Sequence, residues 1–147
     1  MKLFFLRHGE AGLAQNDDLR ELTDRGREDV ARVAKIRRHS LAGVRQVLVS
    51  PILRAQQTAD IVCREAGISA PRFTVDWLIH ETPLSVALAS LALLDQPTLL
   101  VGHQPLAGNL VHRLTGERAG VNTANLVEME GDAFVAGFLS ITHHEVP

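Results

Sequence analysis

Residues 2–9 of the chain read KLFFLRHG, an apolar run that stops abruptly at a cationic pair and a glycine. Four consecutive apolar residues, two of them aromatic, are typical of a strand that is buried on both faces of a parallel sheet. Arg7 and His8 would then lie at the carboxyl end of that strand. Because open α/β sheets bind ligands beyond the carboxyl ends of their strands, this stretch indicates both a fold class and a candidate site.

The rest of the chain repeats this alternation of short strands and helices. Further strands are predicted over 46–49, 73–75 and 98–101, and helices over 23–39, 50–66, 82–94 and 105–116. Serine or threonine followed by proline, at Ser50 and Thr82, supplies two of the helix starts. Such alternation predicts an α/β fold, a three-layer α/β/α sandwich around a mostly parallel central sheet.

The last 25 residues follow a different pattern. Residues 126–129 and 134–141 are predicted to pair as a hairpin around the turn signal Gly131-Asp132. The histidines that follow, His143 and His144, are expected to lie in a solvated tail. The sequence contains no internal repeat and no low-complexity linker, so we expect residues 1–147 to form a single domain.

Composition narrows the class of protein. The hydrophobic fraction is 46%, enough for a packed core, and the formal net charge of −2 argues against a nucleic-acid partner. No stretch approaches the roughly 18 uninterrupted apolar residues that a membrane helix needs. The single cysteine, Cys63, excludes an internal disulfide, and no secretory signal is visible. A soluble, cytoplasmic protein without a membrane partner is therefore expected.

The first candidate site residues are those that follow the first strand. A neutral imidazole, such as that of His8, can act as a nucleophile toward phosphorus. The adjacent Arg7 offers a planar fork of donors that matches phosphate oxygens. Gly9 allows the backbone to approach a neighbour closely. Taken alone, this tripeptide fits a surface Arg-His pair equally well.

Two further strand-to-helix junctions carry matching chemistry. Arg54 lies about one turn into the predicted helix that follows Ser50-Pro51, where free N–H groups favour an anion. His103 stands between the strand 98–101 and the helix that opens at Pro105. Each could be structural, a solvated arginine or a helix-capping histidine. Together with Arg7 and His8 they supply the positive donors that phosphoryl transfer needs, without a metal or other cofactor.

These motifs resemble the histidine phosphatase superfamily, also called phosphoglycerate-mutase-like, and within it the small SixA-type phosphohistidine phosphatases. The matching residues span most of the chain in the expected order: Arg7-His8-Gly9-Glu10, Leu22-Thr23 with Gly26, Val49-Ser50-Pro51 with Arg54-Ala55 and Gln57-Thr58, and Val101-Gly102-His103 with Pro105-Leu106 and Gly108. The resemblance implies a phosphoglycerate-mutase-like fold. It also implies that His8 is phosphorylated, that Arg7, Arg54 and His103 bind the phosphoryl oxygens, and that water then hydrolyses the intermediate.

The general acid is the least defined part of the site. Larger members of the superfamily place a glutamate shortly after the third strand, and Glu81 is the candidate nearest to that position. A helix-stabilising carboxylate is an equally good interpretation of Glu81. Asp17 and Asp18, in the loop after His8, are alternative acids. An acid is also dispensable if the leaving group is imidazole, which departs from phosphorus more readily than an alkoxide.

The resemblance leaves three functional hypotheses open. The leading one is a metal-independent phosphatase that forms phosphohistidine on His8 and hydrolyses phosphohistidine on a protein partner, such as a histidine-phosphotransfer domain. The second is a phosphatase of small phosphate esters. The third is a non-catalytic module that binds a phosphoprotein. No metal site is expected, because the remaining histidines show no spacing with cysteines or carboxylates that is typical of metal ligands.

Overall fold

A computed structural model describes residues 1–147 and contains a six-stranded mixed sheet. The strands are β1 (Lys2–Arg7), β2 (Gln46–Val49), β3 (Arg72–Thr74), β4 (Thr98–Gly102), β5 (Leu126–Glu130) and β6 (Ser140–Glu145). Their order across the sheet is β3-β2-β4-β1-β5-β6. The first four strands in that order are parallel, whereas β5 is antiparallel to β1 and β6 is antiparallel to β5.

Five helices and two short 3-10 turns connect the strands. The helices are α1 (Asp24–Ile36), α2 (Arg38–Leu41), α3 (Leu53–Ala66), α4 (Leu84–Ala92) and α5 (Leu106–Thr115), and the 3-10 turns cover Asp17–Leu19 and Asp76–Leu78. Helices α1, α2 and α3 pack on one face of the sheet, and α4 and α5 pack on the other. The predicted three-layer α/β/α sandwich with a mostly parallel sheet is therefore confirmed.

The central strand β1 shows how the sequence produces the two layers. Its side chains alternate, so that Phe4 and Leu6 contribute to the core beneath α1 and α3. Leu3 and Phe5 contribute to the core beneath α4 and α5. All four are almost completely buried. A strand that is covered on both faces needs apolar side chains at every position, so its sequence is a continuous apolar run. The run at residues 3–6 therefore predicts the fold class.

The helix predicted over 23–39 is interrupted. Thr23 caps α1 as expected, since its hydroxyl accepts a hydrogen bond from the N–H of Gly26 at 3.0 Å. The helix ends at Ile36, and Arg37 leaves the helical conformation before α2 begins. The side chain of Arg37 turns back to β5, where its Nε donates to Glu128 Oε2 at 2.6 Å. The resulting bend places Leu41 in the core.

The carboxyl-terminal hairpin differs from its predicted register. β5 pairs with β6, which covers Ser140–Glu145 rather than 134–141. Phe134 does not lie in a strand; it is completely buried in the core beneath α4 and α5. The prediction that His143 and His144 lie in a solvated tail is also wrong, because both residues belong to β6. His144 Nε2 lies 2.9 Å from Asn125 Oδ1.

The helices that follow β2 and β3 begin slightly later than predicted. Helix α3 starts at Leu53, and Ser50 does not cap it because its hydroxyl is engaged elsewhere, as described below. Helix α4 starts directly after Pro83 and ends at Ala92, two residues before the predicted end. No helix combines the length and apolarity that crossing a bilayer requires.

Candidate active site

The predicted site residues converge at the carboxyl edge of three neighbouring strands. β2, β4 and β1 are adjacent in the sheet, and each ends at a residue that is followed by a polar side chain. Those side chains are Ser50 after β2, His103 after β4 and His8 after β1. All three are buried, and the rings of His8 and His103 are 5.1 Å apart between centroids.

His8 is oriented by its own backbone. Its Nδ1 lies 2.8 Å from the carbonyl oxygen of Gly9, which can only accept a hydrogen bond. The hydrogen of the neutral ring is therefore on Nδ1, and Nε2 carries a lone pair. The Nε–H of Arg54 donates to that Nε2 at a long distance of 3.4 Å. In this arrangement a basic nitrogen faces a guanidinium group inside the site.

The turn that carries His8 is packed tightly against two helices. The N–H of Gly9 donates to Thr58 Oγ1 at 3.1 Å, and Thr58 in turn donates to the carbonyl of Arg54 at 2.7 Å. A Cβ on Gly9 would lie 2.7 Å from the carbonyl oxygen of Gly26, and a Cβ on Gly26 would overlap the carbonyl of Glu10. Both glycines are therefore needed for α1 to approach the turn.

Arg54 connects the helix α3 to the loop that follows β1. The residue is only 5% exposed. Its Nη1 donates to the backbone carbonyl of Asp17 at 2.8 Å, and its Nη2 pairs with the Asp17 carboxylate at 3.2 Å. Arg54 and Arg20 together lower the pKa of the Asp17 carboxyl group, the hydrogen bond from Arg20 being the largest cause. Asp17 is thus an ionised partner of two arginines.

Arg7 presents donors that the protein only partly uses. Its Nη1 donates to the carbonyl oxygen of Val121 at 3.1 Å. Its Nε is buried and has no hydrogen-bond partner. Burial, followed by the charge of Arg54, lowers the pKa of the Arg7 guanidinium. A buried donor without a partner inside a cleft is suited to a ligand that brings an acceptor oxygen.

His103 has one satisfied nitrogen and one free nitrogen. Its Nε2 lies 2.7 Å from Ser50 Oγ, and that hydroxyl also accepts from the N–H of Ile52 at 3.3 Å. Its Nδ1 is buried without a hydrogen-bond partner. The ring is only 1% exposed, so this free nitrogen can be satisfied only by something that enters the site.

Burial and neighbouring charge keep both histidines neutral. Burial is the largest cause that lowers the pKa of His8, to about 4, and Arg54 and Arg7 act in the same direction. Burial also lowers the pKa of His103 to about 3, with His8 and Arg54 contributing. Near neutral pH the two rings are therefore uncharged, and the positive charge of the site resides on the arginines.

These residues line a polar cleft of about 360 Å³. The lining comprises Arg7, His8, Glu10, Ala11, Asp17, Arg20, Arg54, His80, His103, Gln104 and Thr123. The four residues predicted as the phosphate site and the alternative acid Asp17 are among them. Glu81 and Asp18 do not line the cleft, and the side chain of Glu81 is 73% exposed.

Two residues that organise the cleft are not among the predicted site residues. The pair Ser50-Pro51 predicts a helix start, whereas the Ser50 hydroxyl contacts His103. Thr58 belongs to a matching motif, and the structure shows that it holds the turn that follows His8. Both contacts link residues that are distant in sequence: Ser50 and His103 are 53 positions apart, and Gly9 and Thr58 are 49 positions apart. The one available signal was that Ser50 and His103 each follow a predicted strand.

The donor set of this cleft fits an anion. Three arginines line it, and no group of three or more His, Cys, Asp or Glu side chains is arranged to hold a metal ion. A second cleft of about 340 Å³ lies near the amino ends of β2, β3 and β4. Arg45 is its only charged lining residue, so it does not share this chemistry.

Comparison with known proteins agrees with this geometry. Residues 3–77 match the model of the histidine phosphatase superfamily (branch 1). The chain is 31% identical over 119 residues to the phosphohistidine phosphatase SixA of Escherichia coli (strain K12), covering 78% of this chain and 74% of that protein.

Solved structures extend the comparison to the whole fold. The protein histidine phosphatase SixA complexed with tungstate superposes with a TM-score of 0.91 at 28% identity, covering 100% of this chain and 97% of the other. A mycobacterial glucosyl-3-phosphoglycerate phosphatase complexed with VO3 shares the fold, with a TM-score of 0.70 at 16% identity and 99% coverage of both chains. The chain therefore belongs to the histidine phosphatase superfamily and is a phosphatase enzyme.

Proposed function

We propose that the chain is a metal-independent phosphatase that forms phosphohistidine on His8 and acts mainly on phosphohistidine of a partner protein. The observation that carries this proposal is the orientation of His8, whose Nδ1 is held by the Gly9 carbonyl so that Nε2 is free to attack. We also propose that residues 1–147 act as one histidine phosphatase domain, since the single sheet takes strands from both ends of the chain.

In the first step, Nε2 of His8 attacks phosphorus in line with the departing group. The pKa of His8, about 4, supports this role because the attacking nitrogen is unprotonated near neutral pH. The hydrogen bond from Arg54 Nε to Nε2 is long, at 3.4 Å, so an incoming phosphoryl group can replace it. Arg54 would then donate to a phosphoryl oxygen instead of to the nucleophile.

Arg7, Arg54 and His103 would stabilise the charge on the phosphoryl oxygens during transfer. Arg7 Nε and His103 Nδ1 are buried groups without partners, which is the state expected before a ligand binds. The buried Ser50 hydroxyl accepts from the N–H of Ile52, and His103 Nε2 is its only partner that can accept its proton, so the hydroxyl is expected to donate to Nε2. The hydrogen of His103 then lies on Nδ1, where it can donate to an oxygen of phosphate. These donors do the work that a metal ion does in other phosphatases.

The second step is hydrolysis of phosphohistidine by water. The bond from phosphorus to His8 Nε2 breaks, the water oxygen becomes the fourth oxygen of phosphate, and the neutral ring is restored. The same donors stabilise this transition state, since the phosphoryl group moves little between the two in-line displacements. The tungstate bound to the related SixA structure is a tetrahedral oxyanion like the product phosphate.

A phosphoprotein is favoured as substrate by the openness of the cleft. Its rim is formed by the loop 11–22, the short segment before α4, Gln104 and Thr123, so a small ester would find few contacts beyond the phosphoryl group. Remote contacts supply much of the binding energy that accelerates a reaction, and a protein substrate can provide them. The related E. coli protein is a phosphohistidine phosphatase, which points to the same class of substrate.

The proposal is tested by trapping the intermediate. Brief mixing with a ³²P-labelled histidine-phosphotransfer domain, followed by an alkaline quench, should label His8 with an acid-labile, alkali-stable phosphate. His8→Ala should remove both the label and turnover, while the far-UV circular dichroism stays that of a folded protein. Turnover should persist in EDTA and be inhibited by vanadate, whose five-coordinate adducts resemble in-line transfer.

The contradicting results are equally specific. Label on a serine or on Cys63 would refute the role of His8. Loss of turnover in EDTA with rescue by a divalent ion would refute metal independence. If kcat/KM is higher on sugar phosphates than on the phosphorylated domain, the chain is a phosphatase of small esters and the protein partner is refuted.

A further inference from the structure

A third histidine lies in the cleft, and the mechanism above does not use it. His80 lines the cleft together with His8 and His103. Its ring meets that of His103 edge-on, with centroids 5.8 Å apart and an interplanar angle of 83°. It makes no hydrogen bond within the protein, so its position calls for a functional explanation.

The segment that carries His80 is held firmly against the end of β4. Leu78, two residues earlier, is completely buried in the core beneath α4 and α5. The carbonyl oxygen of Leu78 lies so near Gly102 that a Cβ there would be 3.2 Å from it. A Cβ would also lie 3.1 Å from the ring of Phe5. Gly102 thus permits the segment to cross the strand end beside His103, and this packing positions His80 next to His103.

The two ring nitrogens of His80 differ in access. Nδ1 is buried and has no hydrogen-bond partner. The side chain as a whole is 36% exposed, and Nε2 is the nitrogen that remains open to solvent and substrate. Nε2 lies 3.9 Å from Glu81 Oε1, which is beyond hydrogen-bond distance, so no protein group occupies this nitrogen.

His80 and Glu81, the acid predicted from the sequence, differ in their position relative to the cleft. The side chain of Glu81 is 73% exposed and outside the cleft, whereas His80 is inside it. A proton donor to the leaving group must come within hydrogen-bond reach of the reacting oxygen, and histidine is the side chain that most often has this role. Within this segment, His80 is the residue that lines the cleft together with His8 and His103.

We propose that His80 is the general acid and base of the reaction when the substrate is a phosphate ester. This proposal rests on the proposed function and deepens it. As His8 Nε2 forms its bond to phosphorus, the bond from phosphorus to the ester oxygen breaks, and His80 Nε2 gives its proton to that oxygen. In the second step, water forms a bond to phosphorus, the bond to His8 breaks, and His80 Nε2 takes the proton from water. One water is consumed and His80 ends in its initial state.

The need for His80 should depend on the leaving group. An alkoxide departs poorly unless it is protonated, so an alkyl phosphate requires the acid fully. A nitrophenolate or an imidazole departs without much help, so such substrates need His80 chiefly in the second step. Loss of a general acid and base typically lowers a rate by about 10²–10⁴-fold.

The experiment compares His80→Asn with His39→Asn, a matched change at an exposed histidine on α2. kcat/KM is measured on a series from p-nitrophenyl phosphate through phenyl phosphate to an alkyl phosphate. For His80→Asn we expect the loss to grow along the series, from a few-fold to about 10²-fold or more. On p-nitrophenyl phosphate it should also give a burst of one nitrophenolate per protein, because the second step lacks its base. His39→Asn should behave as the unmodified protein.

Three outcomes would overturn the proposal. An equal loss on every substrate would mean that His80 only supports His103, and no loss would mean that it has no part in the reaction. A graded loss in Glu81→Gln, with none in His80→Asn, would return the role to Glu81. His80→Gln provides a second test should the asparagine variant be unstable. Label on His8 in the unmodified protein is measured separately, so failure of the proposed function is distinguishable from failure of this role.

Discussion

Replacing Arg54 by lysine tests whether the cleft binds phosphate through a planar fork. In the structure Arg54 uses all three nitrogens: Nε contacts His8 Nε2 at 3.4 Å, Nη1 contacts the Asp17 carbonyl at 2.8 Å, and Nη2 contacts the Asp17 carboxylate at 3.2 Å. Lysine keeps the charge but has a single nitrogen, so it cannot hold the loop and donate to the phosphoryl group at the same time.

The expected magnitude follows from the loss of one donor to the transition state. Removing such a donor typically lowers kcat by about 10²–10³-fold, equivalent to roughly 3–4 kcal/mol. Arg54 is only 5% exposed, so solvent can replace little of the missing hydrogen bond. We therefore expect Arg54→Lys to lower kcat/KM by about 10²–10³-fold, and kcat more than KM, since the donor acts mainly in the transition state.

The assay is steady-state turnover of p-nitrophenyl phosphate and of a phosphorylated histidine-phosphotransfer domain. Arg64→Lys is the matched control, because Arg64 is an exposed arginine on the same helix. Asp17→Asn separates the two roles of Arg54, since it removes the carboxylate contact to the loop and keeps the guanidinium fork. A near-normal Arg54→Lys enzyme would refute the role of the fork. A loss in Asp17→Asn as large as that in Arg54→Lys would show that holding the loop, not binding phosphate, is what Arg54 contributes.

Two further predictions concern stability. Burial, the main cause, holds the pKa of His8 at about 4 in the folded state against about 6.5 unfolded, so the unfolded chain binds more protons between these values. The free energy of unfolding should therefore be highest above pH 6.5 and fall as pH drops toward 4. In urea titrations, the free energy of unfolding of His8→Asn should fall by about 3 kcal/mol less over this pH range. If its dependence on pH is the same as in the unmodified protein, burial of His8 is not the cause of the fall. Arg37→Ala should lower the free energy of unfolding by about 3–5 kcal/mol, because it strands the buried Glu128 carboxylate. The double variant Arg37→Met/Glu128→Leu should recover most of this loss, and a loss below about 1 kcal/mol in the single variant would refute the argument.

The fold class and the four junction residues that meet in the cleft could be predicted because their signals are local. The apolar run at residues 3–6 is buried on both faces, and proline and glycine mark the ends of the helices. Arg7, His8, Arg54 and His103 were identified from their positions at strand-to-helix junctions. Parallel strands with right-handed crossovers bring such junctions to one edge of the sheet, so their proximity follows from topology.

The structure departs from the predicted elements where tertiary contacts override local preference. The helical spacing of apolar residues up to Ile36 predicts a helix that runs to His39, but Arg37 turns out of the helix toward Glu128, 91 residues away. Phe134 has a high strand propensity and is instead buried under α4 and α5. In both cases the decisive partner is distant in sequence, so no local pattern could indicate it.

The sequence by itself determined the alternation of strands and helices, the positions of the cationic junction residues and the family. Only the tertiary structure decided the strand order that places β2 and β4 side by side, and with it the contact of Ser50 with His103. It also decided which of two consecutive residues faces the cleft, His80 rather than Glu81. Neighbouring side chains outside helices and strands point in directions set by the backbone, and that backbone is held by contacts such as Leu78 against Gly102 that form only when the chain is folded.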